Sequence, residues 1–400
     1  KRESPKMSRS TATEWALPQT ALPHLFILSD LFLWRGIAAS RHSPYKFGSS
    51  QAPARDYVLV SSHQSSHACA GARAGLLARA LEPGINTQLV DALKAIGYSD
   101  EDAMIVVGQL IDNALCGYRF ASLPRILAIA TDPKHLKGRQ PIKIDHETPL
   151  SALMNGNNNI GYVTCYRAAM LAAEKAKKTG FASVGVYNSY YSGRNAYFVE
   201  QIVKQGLVAF HIASAQPRVL PIGGKRPALG TNPICIGFPS DNGPVVYDMG
   251  TAALMWGDVM LHAHLGEPLP VGIGFDKDGN PTTDASAVLE GGVVPFGGHK
   301  GYVLSLAIQS LGLLAGAAFA KNQVSDYGFL FWVMDPKIML PGGEFNSQMA
   351  ELVKFVKATP KRPGVEEIRI PSERAYRERE RRRKEGLVFD RKVIDSLNAL

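Results

Sequence analysis

Only four cysteines occur in 400 residues, Cys69, Cys116, Cys165 and Cys235, and no two form a Cys-x-x-Cys pair. Their scarcity argues against a zinc ribbon or a disulfide scaffold and points to a reducing, cytoplasmic setting. No apolar run reaches the roughly 18 residues that a membrane span needs. The one early candidate, Leu25–Leu33, is broken by Asp30 and followed by Arg35. A concentrated basic field is also lacking. Residues 1–82 hold 10 Lys/Arg against 5 Asp/Glu, and the rest 34 against 30, so the net charge of +9 leaves the main body nearly balanced. That balance argues against nucleic acid as a partner. The basic cluster Arg377–Lys384 interleaves with Glu378, Glu380 and Glu385 and reads as a solvated helical face.

Missing as well are a Gly-x-Gly-x-x-Gly turn between strand and helix, a Walker A loop, His-Glu-x-x-His and Gly-x-Ser-x-Gly. A classical Rossmann site, a P-loop and a nucleophile elbow are therefore not expected. No metal site is expected either. His63, His67 and Cys69 lie in a stretch without helical pattern, and Asp276–Asp284 lacks the ligand spacing and terminal Glu of a calcium loop.

What is present divides at about residue 84. Residues 1–84 are rich in Ser, Ala, Arg and His without a sustained period. They read as a disordered or mis-started segment, with a transit peptide as the second reading. Beyond it, Asn86 caps a predicted helix Thr87–Ile96, and Ser99 with Asp100 and Glu101 opens a second through Leu115. Arg119–Ala130 reads as a third. Leu150–Met154 leads into a loop, Asn155–Gly161, and a helix Tyr166–Thr179 stopped by Gly180. Strand Ala182–Tyr187, loop Asn188–Asn195, helix Ala196–Gln205 and strand Leu207–Ile212 have the length of a crossover unit. Strands Pro233–Phe238, Val245–Tyr247 and Tyr327–Val333 and helices Thr251–Leu265, Gly301–Ala320, Ser347–Ala358 and Glu373–Glu385 complete an α/β pattern.

Four small-residue loops at element ends are candidate ligand contacts: Asn188–Gly193, Gly230–Pro233, Tyr247–Thr251 and Phe296–Gly301. Glycines let a ligand approach the backbone, and amides at a helix start bind phosphate. Asp248, at a strand end, suits ribose hydroxyls, and Lys300 adds a cation. Together they point to an anionic ligand.

Gly230–Pro233, Asp248–Thr251, Asp278–Asp284, Gly297–Gly301 and the turn Arg369–Arg374, in this order from about Asn86 to Leu400, resemble the type 2 malate/L-lactate dehydrogenase family. That family includes ureidoglycolate dehydrogenase, diketogulonate reductase, sulfolactate dehydrogenase and piperideine-carboxylate reductase. The resemblance implies a two-domain α/β fold, not a classical Rossmann fold, working as a homodimer. On that reading, 85–145 with 345–400 form a mainly helical domain and 146–344 an α/β domain that binds cofactor and substrate. It implies hydride transfer between NAD or NADP and a small 2-hydroxy acid, 2-oxo acid or cyclic imino acid. Cofactor contacts carry over onto Ser189, Asp248, Met249, Gly250, His299, Lys300, Ser372, Glu373 and Arg374, with Ser372 capping the helix that follows. Substrate contacts carry over onto Arg125, Thr231 and Asn232.

Two positions depart from the family. Its Ser-His-Gly motif supplies a proton-donating His, and here that position is Ala121. Its second His, in Asn-Ser-x-His-x-Gly, is Tyr191. Arg125 keeps the place of the carboxylate-binding Arg. Candidate donors are therefore Tyr191 first, then Tyr118, Tyr162, His146 and His299. A phenol, with an ordinary pKa near 10, needs a cation such as Arg125 or Lys300 nearby. The alternative is a cofactor-binding homologue with little dehydrogenase activity. Lys225 and Arg226 read as solvated loop charges.

Overall fold

The computed structural model describes residues 57–60, 83–118, 121–318 and 326–400. The expectations for Leu25–Leu33, for His63, His67 and Cys69, and for the start of the third helix at Arg119 lie outside these residues. In chain order the elements are β1 (Tyr57–Val60), α1 (Pro83–Ala95), α2 (Asp100–Leu115), α3 (Arg125–Ala130), α4 (Pro133–Leu136), β2 (Lys143–Glu147), β3 (Ser151–Ile160), α5 (Gly161–Thr179), β4 (Phe181–Tyr190), α6 (Asn195–Val203), β5 (Val208–Ala213) and β6 (Ile234–Phe238). There follow β7 (Val245–Met249), α7 (Trp256–Leu265), β8 (Gly274–Phe275), β9 (Pro281–Thr282), α8 (Ala285–Glu290), β10 (Gly292–Val293), α9 (His299–Leu314), β11 (Phe329–Met334), α10 (Phe345–Ala358), α11 (Glu373–Glu385), β12 (Leu387–Asp390) and α12 (Arg391–Asn398).

The central sheet has seven strands in the order β2-β3-β4-β11-β5-β6-β7. Only β3 and β4 pair in parallel, joined across α5; the other neighbours are antiparallel. This mixed sheet is not the parallel sheet of a Rossmann fold. A three-stranded sheet, β10-β8-β9, stands apart from it, and β1 pairs with β12.

Local chemistry explains the ends that the sequence marks. Ser99 accepts a hydrogen bond from the Asp102 amide, and three acids occupy the first turn of α2, where the helix dipole favours negative charge. Gly180 closes α5 in the left-handed region at φ 82°, behind Lys177 and Lys178. The main core packs alanines of α5 and Phe198 of α6 against Val184, Ala209, Phe329 and Phe331 of the sheet. A second core joins α1, α2 and α3 to Ile160 and Tyr162, and Leu387, Phe389 and Leu397 from the C-terminal end complete it. Each such large apolar side chain contributes about 1.5–3 kcal/mol by leaving water.

Several expectations are corrected. The segment Asn155–Gly161 is not a loop: β3 continues through it, with a register shift between Asn155 and Asn159 and positive φ at Asn157 and Asn158. Its asparagines replace lost ladder bonds. Asn158 Nδ2 donates to the carbonyls of Lys134 and Gly138, and Asn159 Nδ2 to that of Gln140. Helix α5 consequently begins at Gly161, α7 only at Trp256, and α9 runs His299–Leu314. Asn86 is no cap, because α1 already starts at Pro83. The β4-α6-β5 unit is not a simple crossover: β11 lies between the two strands, antiparallel to both. Finally, the segment before residue 84 contributes β1.

Candidate active site

Three of the four small-residue loops meet. The Thr251 amide donates to the Thr231 carbonyl and the Phe296 amide to the Thr251 carbonyl. Gly297 and Gly298 have φ 57° and 62°, with open space where a Cβ would stand. They lead into α9, whose first turn has no side-chain cap. An open groove of about 700 Å³ passes Gly297, Gly298, Gly223 and Gly224. His299 and Lys300 are exposed beside it. Uncapped amides with an adjacent cation suit a phosphate-bearing ligand.

The fourth loop is shorter than expected, because β4 runs on to Tyr190. Tyr191 follows at φ 43°, half-buried. Arg125, the first residue of α3, places its guanidinium carbon 3.7 Å from the Tyr191 ring centroid. Tyr162 meets the same ring edge-on, with centroids 5.7 Å apart. Burial pushes the Tyr162 hydroxyl well above its ordinary range; Tyr191 adds to the shift and Arg125 opposes it. Burial likewise pushes Tyr327 up to about 12, with Tyr191, Arg218 and Arg125 among the groups it senses. A cation and two further phenols thus gather around Tyr191.

Tyr118 stands at a second focus. The guanidinium carbons of Arg374 and Arg194 lie 5.3 and 5.8 Å from its ring centroid. Burial raises its pKa, Arg194 and Arg374 pull it down, and Asp248 adds a smaller rise. Arg374 belongs to the first turn of α11. Next to it, Ser372 sits at φ 72° and does not cap that helix; its Oγ donates instead to the Val246 carbonyl of β7 at 2.7 Å. Glu373 pairs with Lys357 at 2.5 Å and accepts from the Ile370 amide at 3.2 Å.

Other expected contacts hold protein groups. The Asp248 carboxylate accepts from the Ala196 amide at 2.8 Å, at the start of α6. Desolvation pushes its pKa up to about 6, against the pull of that amide and of Arg194. Ser189 is buried and donates to the Asn159 carbonyl at 2.6 Å. Asn232 is fully buried; its Oδ1 accepts from the Ala215 amide, and its Nδ2 donates to Ser305 and Gln309. Thr231 is half-buried, and Met249, at the end of β7, is exposed. Gly250 packs close, since a Cβ there would stand 2.5 Å from the Met255 sulfur. His146 lies exposed on β2.

A profile of the family described as Malate/L-lactate dehydrogenase matches residues 84–398. The chain belongs to the malate/L-lactate dehydrogenase family. It is an enzyme, an oxidoreductase. The malate/(S)-sulfolactate dehydrogenase of Methanothermus fervidus is 36% identical over 323 residues, covering 78% of this chain and 94% of the relative. The Δ1-pyrroline-2-carboxylate/Δ1-piperideine-2-carboxylate reductase of Pseudomonas putida is 36% identical over 245 residues, covering 58% and 70%. Among solved structures, malate dehydrogenase from Pyrococcus horikoshii superposes with a TM-score of 0.71 at 28% identity, covering 87% of this chain and 96% of that one.

Against this family frame, the unforeseen residues are Gln109, Asp112 and Asn113 of α2, Glu200 of α6 and Arg379 of α11. They are buried or nearly so; the first four bond Arg194, just past Tyr191, and Arg379 joins them through Asp112 and Glu200. A signal was available for three of them. Polar residues at positions i, i+3 and i+4 share one face of the otherwise apolar α2. Arg379 corrects the reading of Arg377–Lys384 as a wholly solvated face: Arg381 and Arg383 form exposed pairs, but Arg379 is buried.

Proposed function

We propose that this oxidoreductase transfers a hydride between NAD or NADP and a small 2-oxo acid, 2-hydroxy acid or cyclic imino acid. The observation that carries the reading is the stacking of Arg125 on Tyr191, which joins a carboxylate-binding cation to a proton donor where Ala121 has none to offer. The substrates named for the relatives above are carboxylic acids or include a sulfonated one, and a guanidinium can hold a carboxylate by two parallel bonds. The nicotinamide ring supplies the hydride. Arg125 binds the substrate carboxylate, and Thr231 flanks it. The Tyr191 hydroxyl delivers the proton to the oxygen that becomes the alcohol, or to the nitrogen that becomes the amine. The neighbouring guanidinium stabilises the phenolate left behind. Tyr162 and Tyr327 keep water from the aromatic side of this pair.

The open glycine pair ahead of α9 fits a phosphate-bearing cofactor. His299 and Lys300 would hold it there, with Met249, Gly250, Glu373 and Arg374 as its further contacts and Tyr118 beside Arg374. In this reading Asp248, Ser189, Asn232 and the Ser372 hydroxyl act by bracing the backbone. The helical layer and the sheet layer then form two domains sharing one site. A homodimer accounts for α9, which buries Gly301, Ser305 and Gly312 and exposes Val303 at 62% and Leu314 at 66%.

The test is turnover of a panel of 2-oxo acids and cyclic imines with NADH and NADPH, for the unmodified chain and Tyr191→Phe. The variant is expected to lose about 10²–10⁴-fold in kcat, the usual worth of general acid catalysis, with cofactor affinity unchanged. Near wild-type turnover would remove Tyr191 from the mechanism. An unmodified chain that binds cofactor but reduces nothing would favour the noncatalytic homologue, with Ala121 as cause.

A further inference from the structure

The loop after β4 has little of its own to hold it. Tyr191 and Gly193 both have positive φ, 43° and 77°, and the loop is only four residues long between β4 and α6. A Cβ at Gly193 would stand 2.6 Å from the Tyr162 ring and 2.8 Å from Gln109 Nε2, so the loop lies hard against α2 and α5. Gln109 is fully buried on α2 and donates Nε2 to the carbonyls of Ser192 at 3.0 Å and Arg194 at 3.2 Å. Arg194 then turns its side chain inward. Its Nε donates to Asn113 Oδ1 at 2.9 Å, its Nη1 to Glu200 Oε1 at 3.2 Å, and its Nη2 to Asp112 Oδ2.

A second arginine closes the cluster from α11. Arg379 Nη2 donates to Asp112 Oδ2 and to Glu200 Oε1, both at 3.0 Å, and its Nε lies 3.0 Å from Asp112 Oδ1. Two arginines and two carboxylates thus share one nearly dry volume. Burial disfavours the Asp112 carboxylate, yet Arg194 and Arg379 more than offset this and hold it below its usual range. One turn further along α11, Arg382 donates to the Ala114 carbonyl at 2.8 Å. On the other side, Asn113 Nδ2 donates to the carbonyl of Ala121 at 2.9 Å.

Stability alone is a poor reason for this arrangement. Desolvating four charges costs about what their attraction returns, and apolar replacements of buried ion clusters are often neutral or better. What the cluster does uniquely is fix geometry. Guanidinium forks and carboxylates bond in one register, and these join α2, the loop after β4, α6 and α11. We propose that Asp112, Arg194, Glu200 and Arg379, with Gln109 and Asn113, form a positioning cluster. It sets the Tyr191 loop and the first turn of α11 in one arrangement, so that the proton donor and the Arg374 end of the cofactor site are held by the same charges. This rests on the proposed function for its catalytic consequence, but not for the mechanical coupling.

The experiment combines amide hydrogen exchange with steady-state kinetics on the full chain. Gln109→Met keeps volume and every charge while releasing the two loop carbonyls. Exchange at residues 191–194 is expected to quicken at least tenfold and kcat to fall about tenfold, with exchange at residues 373–374 and cofactor affinity unchanged. Arg379→Lys keeps the charge but cannot span both carboxylates. It is expected to loosen both segments together, lowering kcat and cofactor affinity alike, with Arg379→Met worse than Arg379→Lys on both. If only one segment loosens in Arg379→Lys, the coupling is overturned. If the loop loosens in Gln109→Met with kcat unmoved, the cluster is structural only. Gln109→Met decides the loop arm even where the Arg379 variants fail to fold. If the unmodified chain turns nothing over, the proposed function fails, and exchange still decides the coupling.

Discussion

Replacing Asp248 by Asn is expected to stabilise the protein, by an amount that grows with pH. The Asp248 carboxyl is enclosed between β7 and the start of α6, and its pKa rises from 3.8 to about 6 on folding. Such a carboxyl contributes fully only while neutral, below its ordinary value. That stability is lost as pH climbs through about 6, because the folded state must then hold an ionised, desolvated group. A shift of about two units, at 1.36 kcal/mol each, corresponds to about 3 kcal/mol against the native chain at pH 8, and to about half of that at pH 5. Asn is close to the neutral acid in shape, and its Oδ1 can still accept from the Ala196 amide, so the helix start stays capped. The assay is urea unfolding of both chains at pH 5 and pH 8, read by midpoint at constant slope. Asp248→Asn is expected to gain about 3 kcal/mol at pH 8 and about 1.5 kcal/mol at pH 5. A gain independent of pH would mean that charge is not its cause. A loss at pH 8 would mean that the ionised carboxylate is favoured by its surroundings, contrary to the desolvation argument.

Lys300→Ala removes the exposed cation at the opening of α9 that is proposed to hold the cofactor. Affinity for NADH or NADPH by calorimetry is expected to fall about tenfold or more, and an unchanged affinity would place the phosphate elsewhere. Paired Val303→Glu and Leu314→Glu substitutions put charge on the exposed apolar face of α9. If the proposed homodimer forms through this face, light scattering is expected to show a monomer for the variant; retention of a dimer would assign the interface to another face. Phe331→Ala opens the sheet core beneath His211, whose ring stacks on it at 3.9 Å. It is expected to cost about 3–5 kcal/mol in chemical unfolding, and a cost under 1 kcal/mol would mean that the core closes over the gap.

The features most legible in the sequence were local ones. Ser99 with its trailing acids and Gly180 after two lysines mark helix ends because a cap is chemistry among residues a few positions apart. The family frame was equally legible, since its glycine-rich loops keep their order along the chain. Tyr191 and Arg125 could be named for the positions they fill, but their stacking could not, because α3 and the end of β4 lie far apart in sequence. Two-residue strands such as β8 and β9 offer no period to read. The path of β11 between β4 and β5 depends on pairings that only long-range packing selects.

The same division runs through the site itself. Residue identity determined what each group is able to do: a guanidinium to bind a carboxylate, a phenol to give a proton, a glycine pair to leave its amides open, and Ala121 to do neither acid nor base work. Tertiary structure decided which of these groups are available. The Asp248 carboxylate faces the Ala196 amide, the Asn232 amide faces Ser305 and Gln309, and the Ser372 hydroxyl faces Val246, while Arg379, one arginine among many on α11, is drawn into a buried cluster. A buried polar group must find a partner, and the partner it finds is whichever backbone or side chain the fold brings within about 3 Å.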